Sequence, residues 1–296
     1  MKRHLLISLI IGISSVLLMV AGCQRHTSTE TKGPSAGKVT TGDRRLAIND
    51  QVVHVKFSGE DIYGHLYTPK KHGKQMPVAI VAHGLGGTYQ ELGGTARHLA
   101  SRGYMTYAFD FPGGSSGGQS TGVRQTQMSI ETEAHDLTAV IKAITARSAA
   151  ASGRTLLVGG SQGGVVAGLV ASRHPKLVDR LALMYPAFSM THDARSQYQT
   201  IGAVPRTTDV FGFTVGRAYY RALLRQDVTK TATTYRGPVL IVHGDADDIV
   251  PIKYVRQAAA NYQHGQLHVL SGAGHGFEGQ DQRQALKLLD KFINTK

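Results

Sequence analysis

The 296-residue chain has a single cysteine and no tryptophan, and only 18% of its residues are charged. One sulfur excludes an internal disulfide framework and a structural zinc site built on two or more thiolates. Acidic residues are scarce, with 20 Asp and Glu against 33 Lys and Arg and a net charge of +13. That balance excludes an acidic disordered tail. Only one long apolar run occurs, near the N-terminus, which excludes a polytopic membrane protein. With 41% apolar residues, the chain can bury a sizeable core. The positive charge alone admits nucleic acid, an anionic surface or plain solubility. No recognition helix, RNP-like strand or long basic tract accompanies it, so no nucleic-acid partner is expected.

Residues 1–22 read as a targeting segment: Lys2 and Arg3, an apolar run from Leu5 to Val20, then small residues. The segment Val20-Ala21-Gly22-Cys23 resembles a bacterial lipobox. That resemblance implies cleavage before Cys23 and a diacylglycerol on its thiol. The expected location is extracytoplasmic, lipid-anchored to the cell membrane, or to the outer membrane in a Gram-negative host. Losing residues 1–22 removes two cations and no acid, so +13 falls to +11, which favours association with an anionic envelope. Residues 23–45, rich in Thr, Ser, Gly and Lys, read as a flexible tether. Residues 46–296 read as one domain.

In that domain Gln51–Phe57 and Asp61–Thr68 alternate around Ser58-Gly59-Glu60, the pattern of an antiparallel hairpin at a sheet edge. Apolar runs follow at Pro77–Ala82, Met105–Phe109, Arg154–Val158, Arg180–Met184, Pro238–Val242 and Gln266–Leu270. Runs without strict alternation suit strands of a parallel sheet covered on both faces. Helical patterns lie between them at about Tyr89–Ser101, Met128–Ala150, Gln162–Arg173, Pro251–Tyr262 and Asp281–Ile293. This order predicts an open α/β sheet. The interval from about 186 to 236 breaks the rhythm. At roughly fifty residues it is too long for a plain loop, and an inserted lid is expected there.

Gly159-Gly160-Ser161-Gln162-Gly163-Gly164 follows a strand and opens a helix. This is the setting of a nucleophile elbow, where small neighbours let a strained turn expose the serine. A serine needs a base. His275, in the glycine-flanked loop Gly272–Phe277 after the last strand, is the candidate. The acid should follow the preceding strand, where Asp245, Asp247 and Asp248 all qualify; strand register does not choose among them. Two backbone N–H groups should receive the oxyanion, from Gln162 after the nucleophile and from Leu85 in the loop His83-Gly84-Leu85-Gly86-Gly87. His83 and Asp110 read as loop braces.

The motifs HGLGG (83–87), FDFPGGSSGGQS (109–120), GGSQGG (159–164), YPA (185–187), GPVLIVHGDADDIVP (237–251) and GAGHGF (272–277) together resemble bacterial serine esterases of the α/β-hydrolase superfamily. The likeness is greatest to the cinnamoyl (feruloyl) esterase group and runs from about Val52 to Phe292. It implies an α/β-hydrolase fold, and its H-G-x-x-D-x-x-V-P pattern selects Asp247 as the acid. It also implies that the inserted residues Asp193 and Tyr219 face the substrate, although Arg195 to Thr208 depart from the group's usual sequence. The expected activity is hydrolysis of small short-acyl or hydroxycinnamoyl esters, with no metal or organic cofactor. A peptidase, thioesterase or lipase on the same fold is the alternative, as is a surface lipoprotein that binds ligand without turnover.

Overall fold

A computed structural model describes residues 45–295. The expected signal segment, Cys23 and the tether as far as Arg44 lie outside the described residues. Among the described residues no helix is long and apolar enough to cross a membrane.

The chain opens with strands β1 (Ile48–Phe57) and β2 (Glu60–Pro69), paired antiparallel through a two-residue turn. Ser58 and Gly59 both have positive φ, 51° and 85°, the turn that matches the natural strand twist. Next come β3 (Met76–Ala82), α1 (Gly93–Ser101), β4 (Met105–Phe109), α2 (Ile130–Thr145), β5 (Ala150–Gly160), α3 (Ser161–Arg173) and β6 (Arg180–Met184). An insertion then carries α4 (Met190–Gln197), β7 (Thr207–Val210), β8 (Phe213–Gly216), α5 (Arg217–Arg225) and α6 (Val228–Ala232). The chain finishes with β9 (Val239–Gly244), α7 (Ile252–Asn261), β10 (Gly265–Leu270) and α8 (Gly279–Asn294).

Eight strands form one sheet in the order β1-β2-β4-β3-β5-β6-β9-β10. The hairpin is its antiparallel edge, and the other six strands run parallel. Alternate residues of each central strand enter different cores. Val78, Ile80, Leu157, Leu181 and Ile241 pack with Leu137 of α2 and Val166 of α3. Ala79, Val81, Leu156, Ala182 and Val242 pack with Leu99 of α1 and Leu289 of α8. Both faces of the sheet are therefore dry, which is why these strands read as continuous apolar runs.

Helix α2 starts where Ser129 and Thr132 cap each other, with Thr132 N–H donating to Ser129 Oγ at 3.2 Å and Ser129 N–H to Thr132 Oγ1 at 2.9 Å. This reciprocal box satisfies two of the orphan donors at a helix start. The helix ends at Thr145 rather than continuing to Ala150 as its composition suggests. Ala150 instead pairs with Met76, and Met76 N–H donates to Ala149 O at 2.8 Å. Sheet pairing outweighs the helix propensity of the alanines.

The interval expected to be inserted is filled by helices and by the antiparallel β7–β8 hairpin, whose turn residues Phe211 and Gly212 have φ of 52° and 81°. Phe213 of this hairpin packs against Gly86 in the His83–Gly87 loop. The insertion therefore rests on the strand ends where the candidate site lies.

Candidate active site

In a parallel sheet the loops after neighbouring strands gather at one edge, and β5, β6, β9 and β10 are consecutive neighbours. Ser161 leaves β5 and begins α3 with φ of 49°, a left-handed conformation costing a non-glycine residue about 1–3 kcal/mol. The elbow is tight. A side chain at Gly163 would collide with the backbone oxygens of His83 and Ala82, so only glycine lets α3 approach β3 this closely.

Across the edge, His275 Nε2 lies 2.9 Å from Ser161 Oγ, and His275 Nδ1 lies 2.8 Å from Asp247 Oδ2. The other oxygen of Asp247 accepts the N–H groups of Ile249 and Val250 at 3.0 and 2.8 Å. Those two bonds aim Oδ2 at the imidazole. Burial opposes ionisation of Asp247, but hydrogen bonds from His275 and Val250 outweigh it and hold the carboxyl below its usual range. Asp245 serves elsewhere: its carboxylate accepts the Gly272 N–H at 2.6 Å, on the exposed side of the His275 loop. Of the three acids open to choice, only Asp247 meets the imidazole.

Neither the Leu85 nor the Gln162 N–H is used in a turn, loop or cap hydrogen bond among the described residues. Both residues line the cavity of about 820 Å³ that contains Ser161 and His275. The insertion supplies the opposite wall, including Met190, Asp193, Phe211, Tyr219 and Tyr220. Asp193 and Tyr219 thus face the same space as Ser161. Burial raises the pKa of the Tyr219 phenol above its ordinary value, so it stays neutral. Phe188 and Phe213 of the insertion are buried in the core and do not line this cavity. A larger, more polar cleft of about 1100 Å³ between α4, α6 and α7 holds none of Ser161, His275 and Asp247.

His83 is a brace. Nδ1 donates to Gly84 O at 2.6 Å, and Nε2 accepts the Phe111 N–H at 2.9 Å. Burial pushes its pKa down to about 4, so the ring remains neutral and keeps that tautomer. Asp110 is also structural, accepting the N–H groups of Tyr89 and Gln119 at 2.8 and 2.9 Å.

Three residues near the site gain no role from the sequence: Glu91 and Glu133 lie outside the motifs, and His243 heads the H-G-x-x-D-x-x-V-P pattern. Glu91 accepts the Gly84 N–H at 3.0 Å and lines the Ser161 cavity; burial raises its pKa. His243 is fully buried behind Asp247, with Nε2 2.9 Å from Val250 O and 3.3 Å from Asp247 Oδ2. Glu133 is buried against Gln162. The signal for Glu133 was its place on the apolar stripe of α2, which runs through Ile130, Ala134, Leu137, Ile141 and Ile144. A carboxyl on such a stripe needs a partner or a proton.

Several solved structures share this architecture. Est1E from Butyrivibrio proteoclasticus, solved with ferulic acid bound, is 21% identical with a TM-score of 0.73, over 82% of this chain and 100% of its own. The α/β hydrolase GrgF from a Penicillium species is 16% identical with a TM-score of 0.66, over 84% of this chain and 100% of its own. A monoacylglycerol lipase from Paleococcus ferrophilus is 18% identical with a TM-score of 0.57, over 74% of this chain and 96% of its own. At these identities the likeness speaks for the fold, which is that of the α/β hydrolases. No curated protein sequence matches the chain. The model of the prolyl oligopeptidase family matches residues 91–296, and the chain, an enzyme of α/β-hydrolase type, belongs to that family.

Proposed function

We propose that this chain is a serine-dependent carboxylic ester hydrolase acting on short acyl or hydroxycinnamoyl esters through an acyl-enzyme. The observation that carries the reading is the hydrogen-bonded series Ser161–His275–Asp247, facing a cavity that also receives the Leu85 and Gln162 backbones. In the first step Ser161 Oγ attacks the ester carbonyl while His275 Nε2 takes its proton. Asp247 holds the Nδ1–H tautomer and stabilises the imidazolium. The carbonyl oxygen becomes an oxyanion and accepts from the Leu85 and Gln162 N–H groups. Collapse of the tetrahedral species breaks the ester C–O bond, and His275 returns the proton to the departing alcohol. Water then attacks the acyl-Ser161 carbonyl while His275 takes its proton, and His275 returns that proton to Ser161 Oγ as the acyl C–O bond breaks and the acid leaves.

The cavity supports an aryl or short acyl group because its insertion wall joins the apolar Met190 and Phe211 to the phenol of Tyr219 and the carboxyl of Asp193. Est1E, whose structure holds ferulic acid, adds support for that acyl class. The family description favours a peptidase as the second reading. A side-by-side rate panel separates them: methyl ferulate, p-nitrophenyl esters of rising chain length, an acyl-thioester and an aminoacyl anilide. The expected order puts the oxygen esters first by at least roughly 100-fold in kcat/KM; faster cleavage of the anilide would overturn the assignment. A fluorophosphonate probe should label the protein, which a ligand-binding lipoprotein without turnover would not do.

The reading includes a lipid anchor at Cys23 and an extracytoplasmic location, supported by the lipobox-like Val20–Cys23 sequence. Cys23→Ser is expected to move the protein from the membrane fraction to the soluble fraction on fractionation of the expressing cells. Unchanged membrane association would remove the anchor from the reading.

A further inference from the structure

We infer that Glu133 is a positioning residue that sets the two halves of the oxyanion hole relative to each other, a role that rests on the esterase reading above. Its carboxyl touches one half directly and the other through an intervening glycine. Oε2 accepts from Gln162 Nε2 at 2.8 Å, beside the backbone N–H assigned to the oxyanion. Oε1 occupies the space that a side chain on residue 114 would need. Gly114 O in turn accepts the Gly86 N–H at 2.9 Å, and Gly86 O accepts the Ser116 N–H at 3.1 Å. Those two bonds fasten the His83–Gly87 loop, in which Leu85 immediately precedes Gly86. One buried side chain therefore holds Gln162 of the elbow directly and meets the loop that carries Leu85 through Gly114.

Glu133 does not line the Ser161 cavity, so it acts through its neighbours rather than on substrate. No cation pairs with it among the described residues, and burial pushes its pKa up to about 8. Asp136 on its own helix and Tyr219 from α5 interact with it electrostatically, and burial raises the pKa of both. Glu60 stands behind Asp136 and strengthens its hold on the proton. A neutral Glu133 holds Gln162 without adding charge. An ionised one places a negative charge next to the site of the developing oxyanion and opposes it.

The test compares wild type, Glu133→Gln and Glu133→Ala on p-nitrophenyl acetate, with kcat and KM measured from pH 5.5 to 10 and unfolding midpoints alongside. Wild-type kcat is expected to fall on the alkaline side near pH 8. Glu133→Gln, which preserves the shape and the acceptor for Gln162, should stay within about fivefold of wild type at pH 7 and lose that alkaline limb. Glu133→Ala should lose roughly 30-fold or more in kcat with KM within about twofold, because the donors shift while the cavity wall does not. If both variants keep the wild-type kcat and its pH dependence, the inference is overturned. A loss in Glu133→Ala confined to stability, with kcat of the folded fraction unchanged, overturns it equally. A wild-type protein that hydrolyses no ester and resists fluorophosphonate sinks the underlying esterase reading, a result distinct from both.

Discussion

Ser161→Ala should leave a folded protein whose hydrolysis of p-nitrophenyl butyrate is reduced by roughly 10⁴-fold or more. The magnitude follows from the geometry. Among the described residues, Ser161 Oγ is the only nucleophile within hydrogen-bonding distance of His275 Nε2, so its removal leaves water to react without a positioned oxygen. The fold should survive because Ser161 Oγ makes just that one hydrogen bond among the described residues, whose net contribution is about 1 kcal/mol. The left-handed backbone at position 161 costs alanine about as much as serine. The checks are a steady-state rate and a thermal midpoint on the same preparation; activity within tenfold of wild type would remove Ser161 from the nucleophile's role.

Asp247→Asn should be almost as damaging, lowering kcat by about 10⁴-fold through the wrong histidine tautomer. An asparagine can present its amide N–H toward His275 Nδ1, which fixes the proton on Nε2 and blocks acceptance from Ser161. The effect should be sharp because the carboxyl is locked by the Ile249 and Val250 N–H groups and cannot turn away. His243 behind it offers no replacement acid. Asp245→Asn is the control: its amide oxygen can still accept the Gly272 N–H, so kcat should change by less than about fivefold. Comparable losses in both variants would mean that the acid has been misassigned.

Much of this site could be read from the chain because glycine and apolar runs report local constraints. The elbow at Gly159–Gly164 shows itself through small residues between a strand and a helix, and the strands show themselves through unbroken apolar runs. The choice of Asp247 was different. Asp245, Asp247 and Asp248 share one turn after β9, and only the backbone donors of that turn separate them. Local pattern carries no information on which carboxylate a turn will clasp. Glu91 and Glu133 were less legible still: Glu91 bends back onto the Gly84 N–H within its own loop, and Glu133 finds Gln162 from another helix. The β7–β8 hairpin was also hidden, because its strands are short and β8 packs on the 3-10 turn Gln125–Gln127 rather than on the main sheet. The peptide that ends α2 early did so for a similar reason: its partner, Met76, lies far back in the chain.

The two-sided core has a consequence for accuracy. A half-buried strand that slips by one residue exposes its apolar set to water, and the penalty restores its alignment. Strands β3 and β5 have no such safeguard, because either alignment would bury apolar atoms on both faces. What distinguishes the alignments is volume: in β3, Val78 and Ile80 face one layer while Ala79 and Val81 face the other. A slip of one residue along β5 would carry Ser161 about 3.3 Å along the strand direction, farther than its 2.9 Å hydrogen bond to His275 could follow. The alignment of nucleophile and base is therefore held by the graded sizes of aliphatic side chains in the middle of the sheet, away from any polar group that takes part in the reaction.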